Sequence, residues 1–151
     1  MSEGAHRAFA DDASVRRIGE GLIHRTLPKQ EWTHEAHLAA CVFLLVERPE
    51  IVPERDMPGI IAGYNESLGG VNDDTQGDHE TITQLYIRAI RAFLARHGGG
   101  SLADTVQALL ASPIALRDWP LGHYSRARLF SVTARRGWVE PDLAPIARPE
   151  I

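Results

Sequence analysis

Two short strings of this sequence place histidine and glutamate directly after a residue that commonly caps helices. The first reads Thr33-His34-Glu35-Ala36-His37 and the second reads Asp78-His79-Glu80. The start of a helix carries partial positive charge, which disfavours a protonated imidazole. Neutral histidine is the form that binds metal ions or accepts protons. The two strings therefore predict a functional site.

The spacing of the histidines is compatible with a metal site. On a helix, His34 and His37 share one face and can reach the same ion. His79, from a parallel neighbouring helix, would complete three nitrogen ligands with an open position for water, which is the layout of a catalytic zinc site. Two histidines with one carboxylate, Glu35 or Glu80, would instead suit non-haem iron. The expected cofactor is a divalent metal ion: zinc, iron or manganese.

The elements that must position these residues are predicted to be helices, because no stretch shows the period of two that marks a strand. Apolar periodicity and caps predict long helices at about 13–24, 33–48, 56–68 and 78–97, a shorter one starting at Ser101, and two short ones capped by Ser125 and Ser131. The expected fold is an all-α bundle of four to five helices with a short irregular C-terminal segment. Residues 1–151 form a single domain in this prediction, with a loose arm at 1–10 and an irregular tail at 143–151.

The connections between the predicted helices are short, so successive helices should be antiparallel neighbours. The starts of the second and fourth helices then lie at the same end of the bundle. This topology brings His34, His37 and His79 together on inward faces. The end of the first helix, with His24, and the segment 123–125 return to that end as well.

Composition excludes several classes of function. The net charge is −4, so no overall positive field attracts nucleic acid or an anionic membrane. The single cysteine, Cys41, excludes an intramolecular disulfide framework. No signal peptide or membrane-spanning run is found, which favours the cytoplasm. The fingerprints of phosphate and dinucleotide loops are absent, so no nucleotide cofactor is expected. Trp119 and Trp138 could supply an apolar surface for a homodimer.

Charge is unevenly distributed along the chain. Residues 66–80 contain five acidic side chains and no basic one, whereas residues 126–136 contain four arginines and no acid. The two segments could pair with each other or form two sides of a ligand site. Most of these charges are expected to lie on solvated surfaces.

Four strings together resemble a family of small bacterial all-α proteins to which no activity is assigned. They are Trp32 to Leu38 with its HxxHL pattern, Asp78 to Thr83 with its HETIT pattern, Tyr124 to Leu129, and Trp138 to Leu143. The family usually has an aromatic residue where this chain has Asp78. The resemblance implies one constellation of His37, His79, Glu80, Thr81, Thr83 and Tyr124. A weaker resemblance links the chain to metal-binding helical bundles of the DinB type.

The leading functional prediction is a metal-dependent enzyme acting on a small molecule. His34, His37 and His79 would be the ligands, Glu80 a ligand or base, and Tyr124 a donor to substrate, with Thr83 joining them through the resemblance. One alternative is an acid–base enzyme of the isomerase, lyase or cyclase type, which uses His37 or His79 with Glu80 and no metal. Another is a non-catalytic module that binds a ligand or a protein. Whether Glu35, Glu80 and His123 belong to the site is left open.

Overall fold

The computed structural model describes residues 9–97 and 99–146, and within these ranges the chain has helices and no strand. The helices are α1 (Asp12–Ile23), α2 (His34–Glu47), α3 (Pro53–Ser67), α4 (Glu80–His97), α5 (Leu102–Leu110), α6 (Arg126–Leu129) and α7 (Val132–Arg136). Short 3-10 turns lie at Lys29–Glu31, Pro113–Ala115 and Trp119–Gly122. The predicted all-α class is confirmed. No helix in the described ranges is both long enough and apolar enough to cross a membrane.

Most helices begin where a side-chain oxygen accepts a backbone N–H that the helix itself leaves without a partner. The Thr33 hydroxyl accepts from the N–H of Ala36 at 3.2 Å, and the Ser101 hydroxyl accepts from that of Asp104 at 3.0 Å. Ser125 and Ser131 cap α6 and α7 in the same way. Such caps typically contribute about 1 kcal/mol each. These predicted starts are confirmed.

Helix α3 begins three residues earlier than predicted. Pro53 occupies its first turn, where the missing N–H of proline costs nothing and its fixed φ suits the helix. Asp56, predicted near the start, lies one turn inside. Its carboxylate accepts a hydrogen bond from the N–H of Val52 at 2.9 Å, and this bond stabilises the start of the helix.

Helix α2 is the central helix of the bundle. It packs against α1, α3, α4 and α5. Ala36 and residues 38–44 are all buried, so the helix is covered on every side and not along one stripe. A helix that is apolar all round belongs in a core. Its first turn, where His34 is half-buried and His37 is exposed, is thereby anchored to the core.

The predicted loose arm at 1–10 lies mostly outside the described residues, and its described end is not loose. Phe9 is only 3% exposed and belongs to the main hydrophobic core. Its carbonyl accepts a hydrogen bond from the side-chain amide of Gln107 at 3.1 Å. The predicted tail is irregular over 143–146, and its remainder lies outside the described residues.

A second, smaller core joins the start of α4 to the C-terminal segment. Leu85, Tyr124 and Leu129 are its fully buried members. The Tyr124 hydroxyl donates to the carbonyl of Val139 at 2.7 Å, and the Thr81 hydroxyl donates to that of Gly137 at 2.8 Å. Tyr124 and Thr81, which the family resemblance groups with the histidines, thus hold the C-terminal segment against α4.

The acidic and basic segments partly pair with each other. Arg136 and Asp74 form a two-pronged ion pair, with N···O distances of 2.7 and 2.6 Å. Arg135 donates to the carbonyls of Gly77 at 3.1 Å and Asp78 at 3.2 Å. Of the two predicted alternatives, pairing between the segments therefore holds for these residues. Their contacts connect α7 to the loop before α4.

The Tyr124 hydrogen bond gives a direct test of this packing. We expect Tyr124→Phe to lower the free energy of unfolding by about 1–2 kcal/mol, because the half-buried carbonyl of Val139 loses its donor. Tyr86→Phe is a matched control, since the Tyr86 hydroxyl has no hydrogen-bond partner among the described residues. Urea unfolding of both variants measures the difference, and equal effects would contradict the assignment.

Candidate functional site

A cavity of 310 Å³ opens between α2, α3, the start of α4 and the segment 117–130. Its volume lies at the lower end of the range of about 300–1,000 Å³ that is typical of ligand pockets. Most of its wall is apolar, including Leu38, Ile61, Ile90 and Leu129. We refer to it below as the α2–α4 cavity.

The polar part of the wall comes largely from the starts of two helices. His34 and His37 lie in the first turn of α2, and Thr83 and Tyr86 lie in the first two turns of α4. The prediction that these two helix starts share one end of the bundle is confirmed for these residues. Arg117, in the irregular chain after α5, completes the polar set.

His37 presents an unpartnered imidazole to the cavity. Its ring stacks on Trp32, with 3.7 Å between centroids and 22° between planes. Neither ring nitrogen has a hydrogen-bond partner among the described residues. The ring lines the cavity and the residue itself is exposed, while the protein packed around the imidazole partly desolvates it. This desolvation, with a smaller effect of His34, lowers the pKa of His37 to about 4, so the ring is neutral at pH 7.

His34 is held in a defined tautomer. Its Nε2 lies 3.0 Å from the carbonyl oxygen of Ala115. A carbonyl can only accept, so Nε2 carries the proton and Nδ1 keeps its lone pair. The ring also meets Tyr86 edge to face, with 6.0 Å between centroids.

Tyr86 and Arg117 supply hydrogen-bond donors. Burial, with a smaller effect of the Asp118 charge, raises the pKa of Tyr86 to about 12, so its hydroxyl stays protonated. Arg117 is exposed and is the only charged residue of the described wall. Nothing in the described ranges pairs with its guanidinium.

His79 does not belong to the cavity wall. It precedes α4 and caps it: its Nδ1 accepts from the N–H of Ile82 at 3.2 Å, and its Nε2 donates to the carbonyl of Leu129 at 2.8 Å. The residue is 7% exposed, and this burial lowers its pKa. Helix α4 therefore starts at Glu80 with His79 as its cap, and the prediction that Asp78 is the cap is wrong.

The three predicted metal ligands do not come together. No group of three His, Cys, Asp or Glu side chains within 9–97 and 99–146 could hold a metal ion. Both ring nitrogens of His79 are used in hydrogen bonds, so His34 and His37 lack their predicted third partner. The physical reason is that a capping residue lies outside the helix, where the 3.6-residue period no longer sets the direction of the side chain.

Among the predicted catalytic residues, only Thr83 lies in the cavity wall. Its hydroxyl is 3.5 Å from a carboxylate oxygen of Asp78. Glu80 accepts from the side-chain amide of Gln84 at 3.0 Å, and neither Glu80 nor Tyr124 lines the cavity. Glu80 and Tyr124, which were predicted to act on a substrate, thus do not share the wall with His34 and His37.

Glu35 and His123, which the sequence left open together with Glu80, also lie outside the wall. Glu35 is half-buried in the first turn of α2 but does not line the cavity. Nδ1 of His123 lies 3.0 Å from the carbonyl oxygen of Ala144, so it donates there. His24, expected at the same end, instead contacts Glu20 at 3.2 Å.

Sequence reasoning did not assign Trp32, Tyr86 or Arg117 to the site. Trp32 directly precedes the cap of α2, a position whose side chain commonly packs back on its helix. Tyr86 follows Thr83 by three residues, so the two share a helix face, but an apolar stripe favoured a place in the core. Arg117 lies in irregular chain, where no periodic signal exists.

No protein-family model, curated protein or solved structure matches the chain. The resemblance to small bacterial helical proteins and to DinB-type bundles therefore stays a prediction. The expected homodimer and the cytoplasmic location also stay predictions.

Titration of His37 tests the electrostatics of the site. Its folded-state pKa of about 4 lies below the ordinary 6.5, so as pH falls the unfolded chain takes up this proton first. The free energy of unfolding should therefore decrease as the pH falls from about 6.5 to 4. Below pH 4, protonation of His37 should cause no further decrease. We expect an NMR midpoint near 4 for the ring, and a smaller loss of stability across the window in His37→Gln. A midpoint near 6.5 would contradict the assignment.

Proposed function

We propose that the protein binds a small, mainly apolar molecule in the α2–α4 cavity, with His37 as its hydrogen-bond acceptor. The observation that carries this proposal is a neutral imidazole with two unpartnered nitrogens in an otherwise largely apolar wall. Sites for small molecules typically combine such a wall with a few well-placed polar groups.

Each part of the wall has a separate role in the proposal. The apolar side chains favour burial of hydrocarbon, at about 25 cal/mol for each Å² removed from water. The His37 ring accepts a hydrogen bond, and the Tyr86 hydroxyl donates one. Trp32 fixes the plane of the imidazole by stacking, so less side-chain freedom is lost when a ligand binds.

The same groups are less suited to acid–base catalysis. A general base acts best when its pKa lies near the working pH. The pKa of His37 is about 4, so this residue is a weak base at neutral pH. The pKa of Tyr86 is about 12, so its hydroxyl is a weak acid at neutral pH. Glu80, the expected partner of the base, is engaged with Gln84. Binding is therefore favoured over the isomerase, lyase or cyclase alternative.

A second candidate function is that of a metal-dependent enzyme. In this version His34 and His37 bind the metal ion. The Nε2–H of His34 donates to a backbone carbonyl, which is the usual orienting bond of a metal-binding histidine. Its Nδ1 and both nitrogens of His37 stay available, and both residues come from one turn of α2. Water or the bound molecule would have to supply the other ligands.

Ligand binding can be tested with a library of small aromatic and aliphatic compounds followed by NMR. We expect binders to shift the signals of the Trp32 indole and of Ile61. Ile61→Trp should weaken or abolish binding, because the larger side chain projects into the cavity and narrows it. Leu68→Trp is the matched control, since Leu68 is exposed at the end of α3 and outside the wall. Binding that Ile61→Trp leaves intact would contradict the proposal, provided that urea unfolding shows this variant to be folded.

Metal binding is tested separately by reconstitution with zinc, iron or manganese and elemental analysis. The second candidate predicts one ion for each chain, lost in His37→Ala. His79→Asn should retain the ion, because asparagine can also cap α4 and His79 is not a ligand in this version. Absence of stoichiometric metal from the unmodified protein would exclude the second candidate and leave the first intact.

A further inference from the structure

We propose that the ligand of the α2–α4 cavity is an amphipathic monocarboxylate, whose carboxylate pairs with Arg117 while its apolar body fills the cavity. This inference rests on the proposed function, since it names the class of molecule that the same cavity takes.

The charge of the wall is the first argument. Arg117 is its only charged residue, and no Asp or Glu contributes to the described wall. Asp118 follows Arg117 in the chain and is exposed; its charge acts on Tyr86 of the wall, but it neither lines the cavity nor forms an ion pair with Arg117. The cavity therefore carries one positive charge that no residue of its own wall offsets.

The guanidinium of Arg117 is free within the described ranges, as is that of Arg126, but of these two only Arg117 lines the cavity. Six arginines form ion pairs with carboxylates, namely those at 16, 17, 48, 55, 91 and 136. Arg117 has no such acceptor among the described residues. A guanidinium presents paired N–H donors that match the two oxygens of a carboxylate. A ligand carboxylate would supply the missing acceptor.

The burial pattern sets the orientation of the ligand. Arg117 is exposed, whereas Leu38, Cys41 and Ile90 on the wall are buried. A charged group is costly to desolvate, so it belongs at the exposed side, and the hydrocarbon body belongs against the buried wall. Phe130, which lines the cavity and is 57% exposed, adds apolar surface at its open side.

The number of charges favours a carboxylate over a phosphate monoester. One guanidinium offsets one negative charge, whereas a phosphate monoester carries about −1.5 to −2 at neutral pH. The other donor of the wall, the Tyr86 hydroxyl, is neutral. The single arginine thus matches a monoanion.

The test compares acids with amides of the same shape. Octanoate with octanamide, and 4-phenylbutyrate with 4-phenylbutyramide, are titrated into the full chain by NMR. We expect each acid to bind about tenfold more tightly than its amide, as for other hydrogen bonds to charged groups. Arg117→Gln should remove this preference and Arg117→Lys should keep part of it. Arg126→Gln is the matched control, because Arg126 is also exposed and unpaired in the described ranges but lies outside the wall.

The outcomes separate this inference from the proposed function. Equal dissociation constants for acid and amide, or a preference that survives Arg117→Gln, would overturn the carboxylate assignment. If Ile61→Trp blocks that binding, the cavity is still the binding site. Failure of all four compounds to bind at millimolar concentration would overturn the carboxylate assignment, and failure of the wider compound library would then overturn the proposed function as well.

Discussion

The His79 ring joins two parts of the protein that are 50 residues apart in the chain. One nitrogen caps α4 and the other donates to the carbonyl of Leu129, so the start of the helix and the end of α6 share one buried side chain. Loss of either bond would leave a buried polar group unsatisfied, at a cost of about 1–3 kcal/mol. The wall of the α2–α4 cavity depends on this bridge, because Ile82 and Leu129 both line it.

Local signals in the sequence account for most of the helix boundaries. Thr33 and Ser101 satisfy free N–H groups within their own first turns, so their capping needs no distant residue. The site was harder to predict, because it depends on side-chain directions and on irregular chain. The direction of the His79 ring is set by its hydrogen bond to the carbonyl of Leu129. The position of Arg117 follows from the 3-10 turns between α5 and α6. Neither relation leaves a periodic trace in the sequence.

The neutral form of His37 follows from the packing around its ring, although the residue itself is exposed. His37 stays neutral because the surrounding helices disfavour its charged form, and Trp32 covers one face of its ring. The family resemblance grouped His37 with Thr81 and Tyr124, but the structure divides these residues between two tasks: the first faces the cavity, and the others hold the C-terminal segment.

The division into two cores has a consequence for how the chain folds during synthesis. The main core is built from residues between Phe9 and Leu110, which leave the ribosome first. The smaller core needs Tyr124 and Leu129, and the cap of α4 needs the carbonyl of Leu129. Because chains fold from the N-terminus as they are made, the helical core can assemble before the cavity has its last wall. The cavity is therefore completed after the main core, once residues 117–130 have been made.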